Sequence, residues 1–187
     1  MTGRRSFCYN GGKDERFAAR FHTARTKSEK RRRMPMPKMK PGDAILVSAC
    51  LLGVPCRYDG KSKPNAAVKA LSKTYRLIPV CPEVDGGLST PRSPAEIKVA
   101  SRGEKVYNKC RDDVTQAFVL GARKALARAK AHDVKLAVLK ARSPSCGNGA
   151  VYDGSFSGTL REGDGITAAL LKKSGITVIT EEELSRL

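Results

Sequence analysis

The chain alternates between short apolar runs and stretches with helical spacing. Ala44-Ile45-Leu46-Val47-Ser48-Ala49-Cys50 and Lys135-Leu136-Ala137-Val138-Leu139 are apolar almost without interruption, the pattern of strands covered on both faces. Leu77-Ile78-Pro79-Val80-Cys81 and Ile176 to Ile179 read as two further strands. Pro64 to Thr74 sets Ala67, Val68 and Leu71 at helical spacing, with Pro64 suited to a first turn. Asp112 or Asp113 caps a long predicted helix through about Ala131, with Val114, Phe118, Gly121, Ala122, Ala125 and Ala129 on its core side. Ile166 to Ser174 and Glu181 to Leu187 predict two more helices, and Ile97 to Ala100 with Lys105 to Tyr107 predict a hairpin turning at Arg102-Gly103. Strands alternating with helices imply an α/β single domain with a small, mainly parallel sheet flanked by helices, flavodoxin-like or Rossmann-like in broad class.

Breakers mark the rest. Gly53, Pro55 and Arg57-Tyr58-Asp59-Gly60 form a loop, and Asp153-Gly154 a turn within a glycine-rich stretch that reaches Gly165. Cys81 to Pro94 is long for a structureless connection, and long loops inside compact domains are usually functional.

Composition changes the picture at the amino terminus. The 187 residues carry a net charge of +18, but residues 1 to 40 hold 13 Lys/Arg against 3 Asp/Glu. That segment lacks apolar periodicity, contains Lys30-Arg31-Arg32-Arg33 and ends in Met34-Pro35-Met36-Pro37. Residues 1–43 are therefore expected to be a basic, disordered extension ahead of a domain spanning 44–187. The extension reads as an RNA-contacting arm, an organellar presequence, or an upstream addition to a chain starting at Met34, Met36 or Met39. No run approaches the roughly 18 apolar residues of a membrane span and no secretory core precedes the domain, so a cytoplasmic protein is expected.

Cysteine placement carries the chemistry. Cys50, Cys81 and Cys146 each stand at or just past the carboxyl end of a predicted strand, among glycines or prolines. In an open parallel sheet those ends face one crevice, where ligands bind. Cys8 and Cys110 fall outside this position class. Cys56 makes a fourth thiol, enough for a closed zinc site, although no CxxC pair exists. Three cysteines alternatively hold three irons of a 4Fe-4S cluster and leave the fourth iron open as a Lewis acid toward a soft atom such as sulfur.

Glu83, two residues beyond Cys81, is placed to act beside such a group as general acid or base; the plainer reading is a solvated loop acid. Ser143 and Ser145 offer hydroxyls to a substrate, or merely turn chemistry around Pro144. Arg57 and Arg92 are candidates to hold a phosphate or carboxylate, or to brace their loops.

The ordered set Ser48-Ala49-Cys50-Leu51-Leu52-Gly53, Arg57-Tyr58-Asp59-Gly60, Cys81-Pro82-Glu83, Gly86-Gly87-Leu88, Pro91-Arg92, Asp113-Val114-Thr115, Ser143-Pro144-Ser145-Cys146-Gly147 and Tyr152-Asp153-Gly154 resembles the thiouracil desulfurase family, over about Ala44 to Glu183. The resemblance implies a 4Fe-4S cluster on Cys50, Cys81 and Cys146 with one open iron, and Cys56 as a non-ligand. It implies redox-neutral, hydrolytic removal of sulfur from a thiolated base or nucleotide, of the 2-thiouracil or 4-thiouridine monophosphate type, as hydrosulfide. Glu83 and Ser143 take the catalytic roles by this likeness, and Arg57, Asp59 and Ser145 the substrate contacts. Desulfidation of thiouridine in tRNA, with the arm binding RNA, and a non-enzymatic zinc or iron-sulfur protein are the competing expectations.

Overall fold

The computed structural model describes residues 34–101 and 103–187. Its elements are β1 (Ala44–Ser48), α1 (Ala49–Leu52), α2 (Ala66–Ala70), β2 (Arg76–Val80), α3 (Pro82–Asp85), β3 (Ala95–Ala100), β4 (Gly103–Asn108), α4 (Thr115–Ala131), β5 (Leu136–Leu139), β6 (Ala150–Tyr152), β7 (Leu160–Glu162), α5 (Ile166–Lys173) and β8 (Thr177–Thr180), with 3₁₀ turns at Leu71–Lys73 and Leu184–Arg186.

The expected parallel sheet is present as four strands in the order β2-β1-β5-β8. β1 and β5 occupy the centre and are buried along their whole length, which is why their sequences run apolar without alternation. β2 is an edge strand, and that position tolerates Pro79, which has no N–H to give a ladder. The outward Pro79 carbonyl accepts from Arg128 at 3.0 Å. At the other edge, the Val178 carbonyl of β8 accepts from the Asn148 amide at 3.0 Å.

Two apolar layers sandwich the sheet. Leu46, Val80, Leu139 and Val178 pack with Ala125 and Ala129 of α4 and with Ala168 and Leu171 of α5. Ile45, Val47, Leu136, Val138 and Ile179 pack on the opposite side with Val68, Leu51, and the partly buried Met36, Met39 and Leu184. The packed part of the chain thus begins ahead of Ala44: Thr177 donates to the Pro35 carbonyl and Arg186 to the Met34 carbonyl, both at 3.1 Å. Residues 1–33, including the Lys30 to Arg33 run, and Arg102 of the predicted hairpin turn, lie outside the described residues.

The long helix buries Phe118, Gly121, Ala122, Ala125 and Ala129, the face its sequence spacing selects. Asp113 steadies its start by accepting the Thr115 N–H at 3.0 Å. The β3-β4 and β6-β7 hairpins stack beside it around Ile97, Val106, Phe118 and Val151, and the buried Glu96 carboxylate joins them by accepting the N–H groups of Gly154 and Phe156 at 3.0 and 2.9 Å.

Four expectations change. The predicted Glu181 to Leu187 helix is only a 3₁₀ turn, because Glu183 spends its carboxylate on Thr180 and Asn148. The helix expected from Pro64 shortens to α2, capped by Asn65 accepting from Val68 at 3.0 Å. The glycine-rich segment before Gly165 folds as β6-β7, and the supposed Cys81 to Pro94 loop starts with α3.

Candidate metal centre at the carboxyl edge of the sheet

The chain passes from β1 outward to β2, then crosses back to the far side of β1 to form β5, so the connections after β1 and β5 diverge and open a crevice. Ser48, the last residue of β1, ties the two strand ends by accepting the Lys140 N–H at 2.9 Å. Cys50 follows on the single turn α1, which Gly53 stops with a φ of 107°, a left-handed geometry suited to glycine. Cys81 leaves β2 at the cap position of α3. Cys146 lies past β5, where Ser143 Oγ accepts the N–H groups of Ser145 and Cys146, each at 3.1 Å.

α3 is held hard against α4. A Cβ at Gly121 would lie 1.7 Å from the Pro82 carbonyl oxygen, and one at Gly86 would lie 2.1 Å from that of Ala117. Only two glycines allow these backbones to meet, and the contact fixes where Cys81 and Glu83 stand.

Four thiols gather here. Cys56 is hydrogen-bonded to Cys50 and to Cys81 through their side chains, the Cys50 contact being the main reason its pKa rises to about 11. Its bond with Cys56, followed by burial, drives Cys81 far above the ordinary thiol range. Burial pushes Cys146 up to about 12 against the opposing hydroxyls of Ser48 and Ser145, and the charges of Glu83 and Cys81 add to the rise. The Cys81 thiol also lies 3.6 Å from the Cys56 carbonyl. Cys56, the fourth thiol of the sequence, is therefore part of the thiol group.

Glu83 in the first turn of α3 acts on both Cys81 and Cys146, so its carboxylate belongs to the same cluster of groups. Arg92 holds it, with Nε 3.0 Å and Nη2 2.8 Å from Oε2. Arg57 and Asp59 pair with each other at 3.3 Å in the loop after Cys56, and the Arg57 guanidinium stands over the Tyr58 ring.

Ser145 takes a different place from the one expected. It is 0% exposed, and its hydroxyl pairs with Thr167 of α5 at 2.8 Å. It braces the turn that carries Cys146.

Among the described residues no three His, Cys, Asp or Glu side chains stand close enough to hold a single metal ion. A multi-iron cluster spreads its thiolates wider than one ion does, and a group of buried, soft donors spaced around a crevice fits such a cluster. The surroundings that raise Cys81 and Cys146 keep those two thiols neutral until metal displaces their protons. A shallow depression lined by Lys130, Asp133, Lys135 and Ser174 lies at the opposite edge of the sheet, far from this chemistry.

Comparisons with known proteins agree with this reading. A solved structure, that of the 4Fe-4S-dependent thiouracil desulfidase TudS, is 45% identical and superposes with a TM-score of 0.71, covering 78% of this chain and 95% of that one. The uncharacterized protein YbbK of Bacillus subtilis (strain 168) is 45% identical over 148 residues, 75% of this chain and 97% of the relative. The family model described as 2-thiouracil desulfurase matches residues 45–183. The chain belongs to the 2-thiouracil desulfurase family.

Proposed function

We propose that this protein is an iron-sulfur enzyme that removes sulfur from thiolated uracil compounds, of the 2-thiouracil or 4-thiouridine monophosphate type, with water replacing sulfur and hydrosulfide released. The observation that carries the reading is the gathering of buried thiols beside Glu83 at the sheet's switch point, in a chain 45% identical to a solved desulfidase.

Cys50, Cys81 and Cys146 are the proposed holders of a 4Fe-4S cluster, which when bound supplies an iron without a protein ligand as a Lewis acid for sulfur. Glu83 is placed to take a proton from water and return one to the ring, a role that needs a carboxylate held at a fixed point. The Ser143 hydroxyl accepts from two backbone N–H groups, which leaves its own hydrogen to donate toward a bound base. Arg57 and Asp59 are the proposed polar contacts to substrate on the neighbouring loop. An RNA contact through the basic arm falls outside the described residues. No helix among the described residues is long and apolar enough to cross a membrane.

The test is anaerobic reconstitution with iron and sulfide, followed by hydrosulfide release from 2-thiouracil and 4-thiouridine monophosphate. Release is expected from the brown protein and lost in Cys146→Ala. A fully loaded protein inactive on both compounds overturns the proposal.

A further inference from the structure

Arg92 stood among the candidates for gripping a phosphate or carboxylate of substrate, but its guanidinium is spent inside the protein. Nε and Nη2 lie 3.0 and 2.8 Å from Glu83 Oε2. Nη2 donates to the Cys56 carbonyl at 3.0 Å, and Nη1 donates to the Ser89 carbonyl at 3.0 Å and the Thr90 hydroxyl at 3.1 Å. Its backbone N–H goes to the Tyr58 carbonyl at 2.8 Å. The side chain is 8% exposed and that of Glu83 is 17% exposed, so the pair is largely withdrawn from water.

Both nitrogens aimed at Glu83 converge on one oxygen, Oε2, which leaves Oε1 without an arginine contact. A carboxylate held through one oxygen is fixed in position while its other oxygen stays clear of the guanidinium. The same guanidinium reaches the Cys56 carbonyl, which the Cys81 thiol also approaches. One planar fork thus joins the Cys56 loop, the Glu83 helix and the 89–90 turn, a geometry that a lysine cannot reproduce.

We infer that Arg92 is a positioning residue for desulfuration, fixing Glu83 by Oε2 and locking it to the loop that carries Cys56 so that Oε1 is presented to the reacting base. The inference rests on the acid/base role proposed for Glu83.

The test uses cluster-loaded protein with 2-thiouracil, reading kcat, KM, iron per chain and visible absorption for Arg92→Lys, Thr90→Val, Glu83→Gln and the Arg92→Lys, Glu83→Gln double variant. Arg92→Lys is expected to keep its iron and a KM within about threefold while kcat falls about tenfold or more, as misplacing a reacting group does. In the Glu83→Gln background the same change should cost nothing further. Thr90→Val, at an exposed position, removes one anchor of the guanidinium and lowers kcat about threefold; it decides the matter if Arg92→Lys fails to load. Wild-type kcat in Arg92→Lys, losses that multiply in the double variant, or wild-type kcat in Thr90→Val where Arg92→Lys does not load, each overturns the inference. A loss confined to KM does so as well. Glu83→Gln separates the two levels: wild-type kcat there removes the role of Glu83 itself, whereas a slow Glu83→Gln beside a normal Arg92→Lys removes only the positioning.

Discussion

Replacing Gly121 by alanine tests how the site is held. The added methyl would lie 1.7 Å from the Pro82 carbonyl oxygen, 2.6 Å from its carbon and 3.1 Å from its Cα, all backbone atoms that no rotamer change can move. Taking ~3.3 Å as an ordinary carbon-oxygen approach, α3 must retreat by about 1.6 Å. Overpacking of this kind costs 1–3 kcal/mol, and a backbone clash belongs near ~3 kcal/mol. Alanine gains about 1 kcal/mol over glycine inside a helix, which leaves a net loss of about 2 kcal/mol. For a domain of this size that lowers Tm by about 4–8 °C. Activity should suffer more than stability, because the retreating helix takes Cys81 and Glu83 with it, and a displacement of ~1 Å near reacting groups costs about a hundredfold. The assay is Tm of the cluster-free protein by circular dichroism, then iron content and hydrosulfide release after reconstitution, with Lys130→Ala on the exposed face of α4 as control. Gly121→Ala with the Tm and turnover of the control would refute the idea that glycine contact between α3 and α4 sets the site.

Cys56→Ala should retain wild-type iron after reconstitution while Cys50→Ala, Cys81→Ala and Cys146→Ala each lose the cluster; iron and sulfide assays decide, and loss of cluster in Cys56→Ala would make it a ligand. The cluster-free protein should lose stability in alkali: thiols raised from 9.0 to about 11 at Cys56 and about 12 at Cys146 stabilise the fold fully below pH 9 and stop doing so as pH rises through those values. Denaturant melts at about pH 8 and pH 10.5 should show this, with a flatter slope in Cys146→Ala. Burial alone would raise Glu183, but the Thr180 N–H, the Asn148 amide and Arg186 outweigh it and hold its carboxyl below the usual value. Its stabilisation is thus present above the ordinary carboxylate pKa and lost as pH falls through the lowered one, so the Tm deficit of Glu183→Gln at pH 7 should shrink in acid. Ser145→Ala should lower stability by about 1–3 kcal/mol, through the Thr167 hydroxyl left buried without its partner, with KM for 2-thiouracil unchanged; a raised KM with normal stability would restore Ser145 as a substrate contact.

The architecture was legible because its signal is local. Buried parallel strands write themselves as apolar runs, and α4 shows its core face in the spacing of Phe118, Gly121, Ala122, Ala125 and Ala129. The position class of Cys50, Cys81 and Cys146 followed from the strands alone. What escaped depends on contacts between distant segments. Ser145 and Ser143 look alike in sequence, but only the packing of α5 sends one to Thr167 and leaves the other in the turn. Arg92 acquires its role from Glu83, Cys56, Ser89 and Thr90 together, and no spacing encodes that convergence. Cys56 carried a usable hint, as a thiol six residues from Cys50 across a breaker-rich loop, but its proximity to Cys81 needs the sheet order.

A four-stranded sheet has two open borders, and each is a template on which a neighbouring molecule can lay a fifth strand. On β2 the proline withholds a donor and Arg128 occupies the Pro79 carbonyl. On β8 the Asn148 amide fills the Val178 carbonyl. Both borders are therefore plugged by side chains, so that loss of Arg128 or Asn148 exposes a growth point for aggregation before it disturbs the chemistry.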